Sequence, residues 1–212
     1  MKGYCKAHGI ATRKGFYAYS NKFGKPAQRT WQDILRYNNK KVISSYPNPT
    51  TLNIVKPFDV KLMERVEAEL GTKEWPPYSN WGAVEKYLKA VGISFPAPYC
   101  AAFVTYCVKR AGWGGSLPKT PGWVPAWESW AKAKGYIRKS KLGATKGNIV
   151  TFDWDGDARG NHIGVILKNY GPMKLVATIE GNATSSKLPG GGVVKKMRPW
   201  SQVNKVIRLP RW

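Results

Sequence analysis

The strongest constraint on how this chain can fold is the order of its local signals: helical patterns come first and strand patterns afterwards. "FDVKLMERVEAELG" reads as an amphipathic helix, with Asp59 near its start and Gly71 closing it. "NWGAVEKYLKAVG" reads as a second, opened by Ser79 or Asn80 and ended by Gly92. A third begins near Cys100 and ends at Gly112, and "PAWESWAKAKG" is a fourth, with Pro125 in its first turn and Gly135 as its stop. From Gly147 the texture changes. "GNIVTFDW", "HIGVILKN", "KLVATIEGN", "GGVVKKMR" and "KVIRLP" are short apolar runs separated by Gly, Pro and Asn. Helices followed by strands predict an α+β domain with helices packed on an antiparallel sheet.

Residues 1–57 differ from the rest. They are rich in Lys, Asn, Tyr and Ser, with one helical stretch at "TWQDILRYNN" and a turn-forming "YPNPTT", and are read as a small N-terminal module or extension. Cys5 and His8 have the CxxH spacing that opens a zinc site, but no second ligand pair follows, so no zinc is expected. Three cysteines, at 5, 100 and 107, are an odd number and suggest no disulfide framework. No apolar run reaches membrane-spanning length. The start, "MKGYCKAHGIATRKG", is basic without an apolar core, so synthesis in a cytoplasm without a signal peptide is the expectation.

Thirty-five Lys and Arg against twelve Asp and Glu give a formal charge of +23, spread along the chain. Such a field draws a protein to polyanions: nucleic acid, anionic lipid or the phosphate-bearing polymers of a bacterial wall. Charge alone does not choose among them.

Cys100 sits where the proline-rich "FPAPY" turns into a helix. Unpaired N–H groups and the positive end of the helix dipole favour a thiolate there. The following Ala101 and Ala102 are expected to leave the groove beside the thiol uncrowded, and Cys107, on the same helix face, is assigned to the core. Of the two histidines, His162 opens a strand. A hairpin turn centred on Gly171 would set it directly opposite Glu180, so that the carboxylate reaches the imidazole. Cys100 as nucleophile, His162 as base and Glu180 as the group that orients the imidazole form a thiol hydrolase. The backbone N–H of Cys100 is a candidate oxyanion donor.

Around these residues the sequence resembles the CHAP domain (cysteine, histidine-dependent amidohydrolase/peptidase) of bacterial and bacteriophage wall hydrolases, over roughly residues 58–212. The resemblance rests on "PYCAAFVTYC", "NIVTFDWDGD…NHIGVI" and "TIEGN". It implies a papain-like fold and a catalytic set of Cys100, His162 and Glu180. It also implies that Asn182 is a further polar residue of the site, its amide bonding the histidine or the oxyanion. Many members carry Trp before the cysteine, where this chain has Tyr99. Some members bind calcium, often through acidic residues just before the cysteine; that cluster is missing here. Asp153, Asp155 and Asp157 alternate like the opening of a calcium loop, but the twelfth position of an EF-hand would be Gly164, not Glu. No cofactor is required by this reading, with calcium at those aspartates the minority option. Of Trp113, Trp123, Trp127, Trp130 and Trp154, some are expected to line a substrate groove and most to fill the core.

The resemblance implies a peptidoglycan hydrolase acting at the wall as a phage lysin or part of a virion. It leaves two bonds open: the N-acetylmuramoyl–L-alanine amide, or a peptide bond of the stem or cross-bridge. Its partners would be peptidoglycan and its anionic polymers, with no nucleic acid. The alternative is a basic wall- or nucleic-acid-binding protein with a structural cysteine, although no nucleic-acid motif is present.

Overall fold

The structure, a computed structural model, describes residues 56–141 and 143–210. Contacts divide the chain between Val55 and Lys56, and the described residues all belong to the unit from Lys56 onward. The candidate zinc pair and the helical stretch before "YPNPTT" lie outside the described residues.

Helix α1 spans Phe58–Ala68 and buries Phe58, Leu62, Met63 and Val66, the apolar stripe that its sequence repeat lays on one face. The expected second helix is reduced to α2, Glu85–Lys89. Glu74 accounts for the loss. Its carboxylate accepts the Asn80 N–H at 2.7 Å, and Trp75 N–H donates to the Trp81 carbonyl. Asn80 and Gly82 take φ values of 54° and 82°, and a Cβ at Gly82 would meet the Trp75 oxygen at 2.9 Å. An α-helix does not run through two such residues. Helix α3 is Cys100–Arg110, and α4 is Val124–Ala133 with Pro125 in its first turn. Among the described residues no helix is long and apolar enough to cross a membrane.

Five strands follow: β1 (Ile149–Phe152), β2 (His162–Tyr170), β3 (Leu175–Ser185), β4 (Leu188–Pro199) and β5 (Val203–Ile207). They form one antiparallel sheet in the order β4-β3-β2-β1-β5. Alternation divides its faces. Ile149, Ile163, Val165 and Ile179 pack with the helices, while Val150, Phe152, Ile166 and Val176 pack with Trp200 and Val203 on the other side. Each fully buried Leu, Ile or Phe contributes about 1.5–3 kcal/mol before conformational entropy is subtracted. The α+β architecture is the expected one.

The hairpin register is not. A 3-10 turn at Gly171–Met173, with Lys174 left-handed at φ 52°, makes Tyr170 and Leu175 the closing pair. The turn is therefore centred beyond Gly171. An irregularity between Ile166 and Lys168 then inserts Leu167 into β2 as an extra residue. Past this bulge Val165 pairs with Ile179, and the same register sets Glu180 opposite Gly164 and not opposite His162. The two shifts sum to an even number, so His162 and Glu180 keep the same face.

Candidate active site

Cys100 is the first residue of α3 and is 7% exposed, in a helix that is buried through Val108 except for the half-buried Tyr106. No side chain caps the helix N-terminus, so its first N–H groups face the thiol's surroundings. Tyr99, the N-cap, is fully buried, and its hydroxyl donates to Glu74 Oε1 at 3.0 Å and meets the Asn182 backbone. Burial pushes the Tyr99 phenol upward, with the Glu74 charge adding to it, so the hydroxyl stays a donor. The residue before the cysteine is thereby tied to both the Glu74 loop and β3. Ala101 and Ala102 are fully buried in the core, and neither lines the groove beside the thiol. Cys107 is also buried, and desolvation raises its thiol well above the ordinary range, which keeps it inert.

His162, the first residue of β2, is 4% exposed. Its Nε2 lies 3.0 Å from Glu180 Oε2, and the Cys100 thiol interacts with the same imidazole. Burial pulls the imidazole pKa down, but Cys100 and Glu180 outweigh it and lift the value to about 9. Burial would raise Glu180, yet hydrogen bonds from His162 and Arg198, with Thr178 adding a third, bring it down to about 2. The pair is therefore a carboxylate against an imidazolium across the neutral range.

The contact between His162 and Glu180 is a diagonal one, which a long side chain can span. Gly164 makes room for it. A Cβ at Gly164 would lie 2.8 Å from Glu180 Cγ and 3.0 Å from the Ile179 carbonyl oxygen. Gly164→Ala is expected to displace the Glu180 side chain and cost about 1–3 kcal/mol, as overpacking does. Thermal unfolding together with an imidazole titration checks this. A variant with both the parental melting temperature and the parental His162 titration would exclude the steric account.

Two residues that the sequence did not point to complete the set. Thr178 Oγ donates to Glu180 Oε1 at 2.6 Å. Arg198 donates from Nε to Oε1 at 3.1 Å and from a terminal nitrogen to Oε2 at 2.7 Å. Thr178 has a faint sequence signal, because it lies two residues before Glu180 on one strand face. Arg198 has none; it is one of thirty-five Lys and Arg. Trp154 stacks on the imidazole with ring centroids 4.8 Å apart, and the Arg198 guanidinium lies 5.1 Å from the same indole.

These charges make folding stability depend on pH in two windows. Glu180, depressed from 4.5 to about 2, adds stability that is present above pH 4.5 and lost as pH falls through 2. His162, raised from 6.5 to about 9, adds stability that is full below pH 6.5 and lost as pH rises through 9. Denaturant titrations should show stability declining between pH 6.5 and 9, with the decline flattened in His162→Gln. An equal decline in both proteins would contradict this assignment.

Beside the thiol runs an open groove of about 340 Å³, lined among others by Cys100, Trp123, Pro125, Asp155 and Asp157. Trp123 is 59% exposed there, and Trp154 is 50% exposed over the imidazole. Trp127 is in the core, with Trp113 and Trp130 packed against it. The loop that forms one groove wall is braced from below. Glu128 accepts the Gly160 N–H and the Asn204 amide, and bonds Thr151. Asp153, Asp155 and Asp157 bring ligand oxygens within 4.8 Å of one another. Each aspartate also accepts hydrogen bonds within the loop: Gly156 and Ala158 N–H for Asp153, Arg159 for Asp157 and the Asn161 amide for Asp155. The aspartates thus hold the loop's own turns. Asn182, left-handed at φ 55°, puts its backbone against Tyr99, while the imidazole's bonded carboxylate is Glu180.

No curated protein matches this chain. Among solved structures, "The crystal structure of Ly7917" is similar at 15% identity and a TM-score of 0.35, over 70% of this chain and 61% of that one. The chain thus spans about three-fifths of that protein's length. The family model of the CHAP domain matches residues 91–182, a span that holds Cys100, His162, Glu180 and Asn182.

Proposed function

We propose that the protein is a peptidoglycan hydrolase that cuts an amide bond of the bacterial wall by a thiol mechanism. The observation that carries this reading is the buried His162 imidazole held between the Cys100 thiol and the Glu180 carboxylate at the edge of an open groove. In the first half-reaction the Cys100 sulfur, its proton passed to His162, attacks the scissile carbonyl. The uncapped N–H groups at the start of α3 face the developing oxyanion. The imidazolium then gives its proton to the leaving amine as the C–N bond breaks, leaving a thioester on Cys100. A water, deprotonated by His162, attacks that thioester, and the proton returns to the sulfur as the acid product departs. Glu180 stabilises the imidazolium at both stages without taking its proton.

The +23 charge supports a polyanionic wall as the surface on which this happens. It also underlies the second reading, a non-catalytic basic binder. Mass spectrometry of fragments released from purified peptidoglycan separates the two. A new muramic carboxylate with a free L-alanine N-terminus identifies the amidase, and a new amine within the stem or cross-bridge identifies the endopeptidase. Release of no fragment from walls that the protein nevertheless binds would leave the binder.

A further inference from the structure

We propose that Arg198 is a positioning residue, which acts by locking the Glu180 carboxylate in the orientation that reaches His162. The proposal rests on the reading of Cys100 and His162 as the catalytic pair. Arg198 stands opposite Val176 in the β3–β4 register, and Glu180 stands opposite Val194. The guanidinium therefore runs along the sheet past Thr178 to meet the carboxylate with two bonds, at 3.1 and 2.7 Å. A fork of this kind fixes the plane of a carboxylate as well as its place. With Thr178 holding Oε1 from below, Oε2 is turned toward His162 Nε2.

The arginine is itself held. Its guanidinium carbon lies 5.7 Å from the Phe152 ring and 5.1 Å from the Trp154 ring, within the range of cation–π attraction. Its side chain is only 18% exposed. The charged and titratable groups that face Glu180 are His162 from β2, with Cys100 from α3 beyond the imidazole, and Arg198 from β4. Lys196, next to Arg198 on the same face of β4, turns away to the Thr184 carbonyl, and Asp153 shares a groove wall with Arg198.

Two effects of Arg198 on the imidazole have opposite signs, and this makes the idea testable. As a nearby cation it disfavours imidazolium. As the clamp on Glu180 it favours imidazolium, by keeping the carboxylate in place. If positioning dominates, Arg198→Met lowers the His162 pKa, in the same direction as Glu180→Gln.

The chain has two histidines, so NMR titration of the full-length protein, with His8→Gln to assign the signals, reads His162 directly. The expected result is a roughly tenfold loss of proton affinity at His162 in Arg198→Met. The same replacement made in a Glu180→Gln background should produce no loss. Where the methionine variant does not fold, Arg198→Lys carries the test: one ammonium replaces a two-bond fork, and a smaller fall in the same direction is expected. An unchanged or raised His162 pKa in the folded variant overturns the proposal, as does an equal fall in the Glu180→Gln background. On released peptidoglycan fragments, Arg198→Met should lower kcat with KM held. If the parent itself releases nothing, the hydrolase reading fails, and the titration still decides the positioning role.

Discussion

Cys100→Ala is expected to bring hydrolysis of purified walls to background, a loss on the order of 10,000-fold or more, while the domain stays folded and still sediments with the walls. The size of the effect follows from the absence of a substitute. Cys107, the other thiol of α3, is fully buried and driven by desolvation far from a reactive state. The residues that follow Cys100 are buried alanines, with no group to take the nucleophile's place. The substitution leaves the +23 charge untouched, so co-sedimentation, if it rests on that field as proposed, should weaken with added salt in parent and variant alike. Cys107→Ala is the matching control, costing about 1–3 kcal/mol of stability and sparing turnover. Clearing by Cys100→Ala at the parental rate would reject the thiol mechanism outright.

Glu180→Gln should have the second largest effect, in activity and stability together. The amide keeps the shape and one acceptor oxygen but removes the charge that faces both His162 and Arg198. Without that charge the imidazolium loses its partner, and the carboxamide presents a donor where an acceptor stood. A fall in kcat of roughly 100- to 10,000-fold follows. The variant also leaves a largely buried guanidinium without a counter-ion, at a cost of about 3 kcal/mol. The coupled signature matters: kcat and the unfolding midpoint should fall together, and the loss of stability above pH 6.5 should shrink because His162 is no longer held high. Full activity with normal stability would mean that another group orients the imidazole, with Asn182 the first to examine.

The sequence revealed what local chemistry decides and missed what the tertiary fold decides. Helices α1, α3 and α4 were legible because their apolar spacing and their stops at Gly112 and Gly135 are local signals. Helix α2 was overestimated because the competing claim on Asn80 comes from a carboxylate outside the segment, at Glu74. All five strands were legible as runs, but their register was not. It depends on the left-handed Lys174 and on one extra residue at Leu167, neither of which has a compositional mark. His162 and Glu180 are not directly opposed as expected, yet they still meet diagonally, because the error preserved the parity of the strand face. Arg198 was invisible for a different reason: its role comes from a reach along the sheet past Thr178, and no sequence spacing encodes that path.

The close approach of β3 to α3 governs how such a protein can change over generations. A Cβ at Gly181 would lie 2.7 Å from the Phe103 Cβ, so the strand that carries Glu180 and the helix that carries Cys100 touch with no space for a side chain between them. This contact ties Glu180 to Cys100, one residue from the first and three from the second. The walls of the groove, Trp123 and the loop through Asp155 and Asp157, hang on α4 and β5 through Glu128 and Asn204 and lie outside that joint. Under the proposed function, substitutions in those walls would alter which polymer is accepted while Glu180 and Cys100 keep their separation.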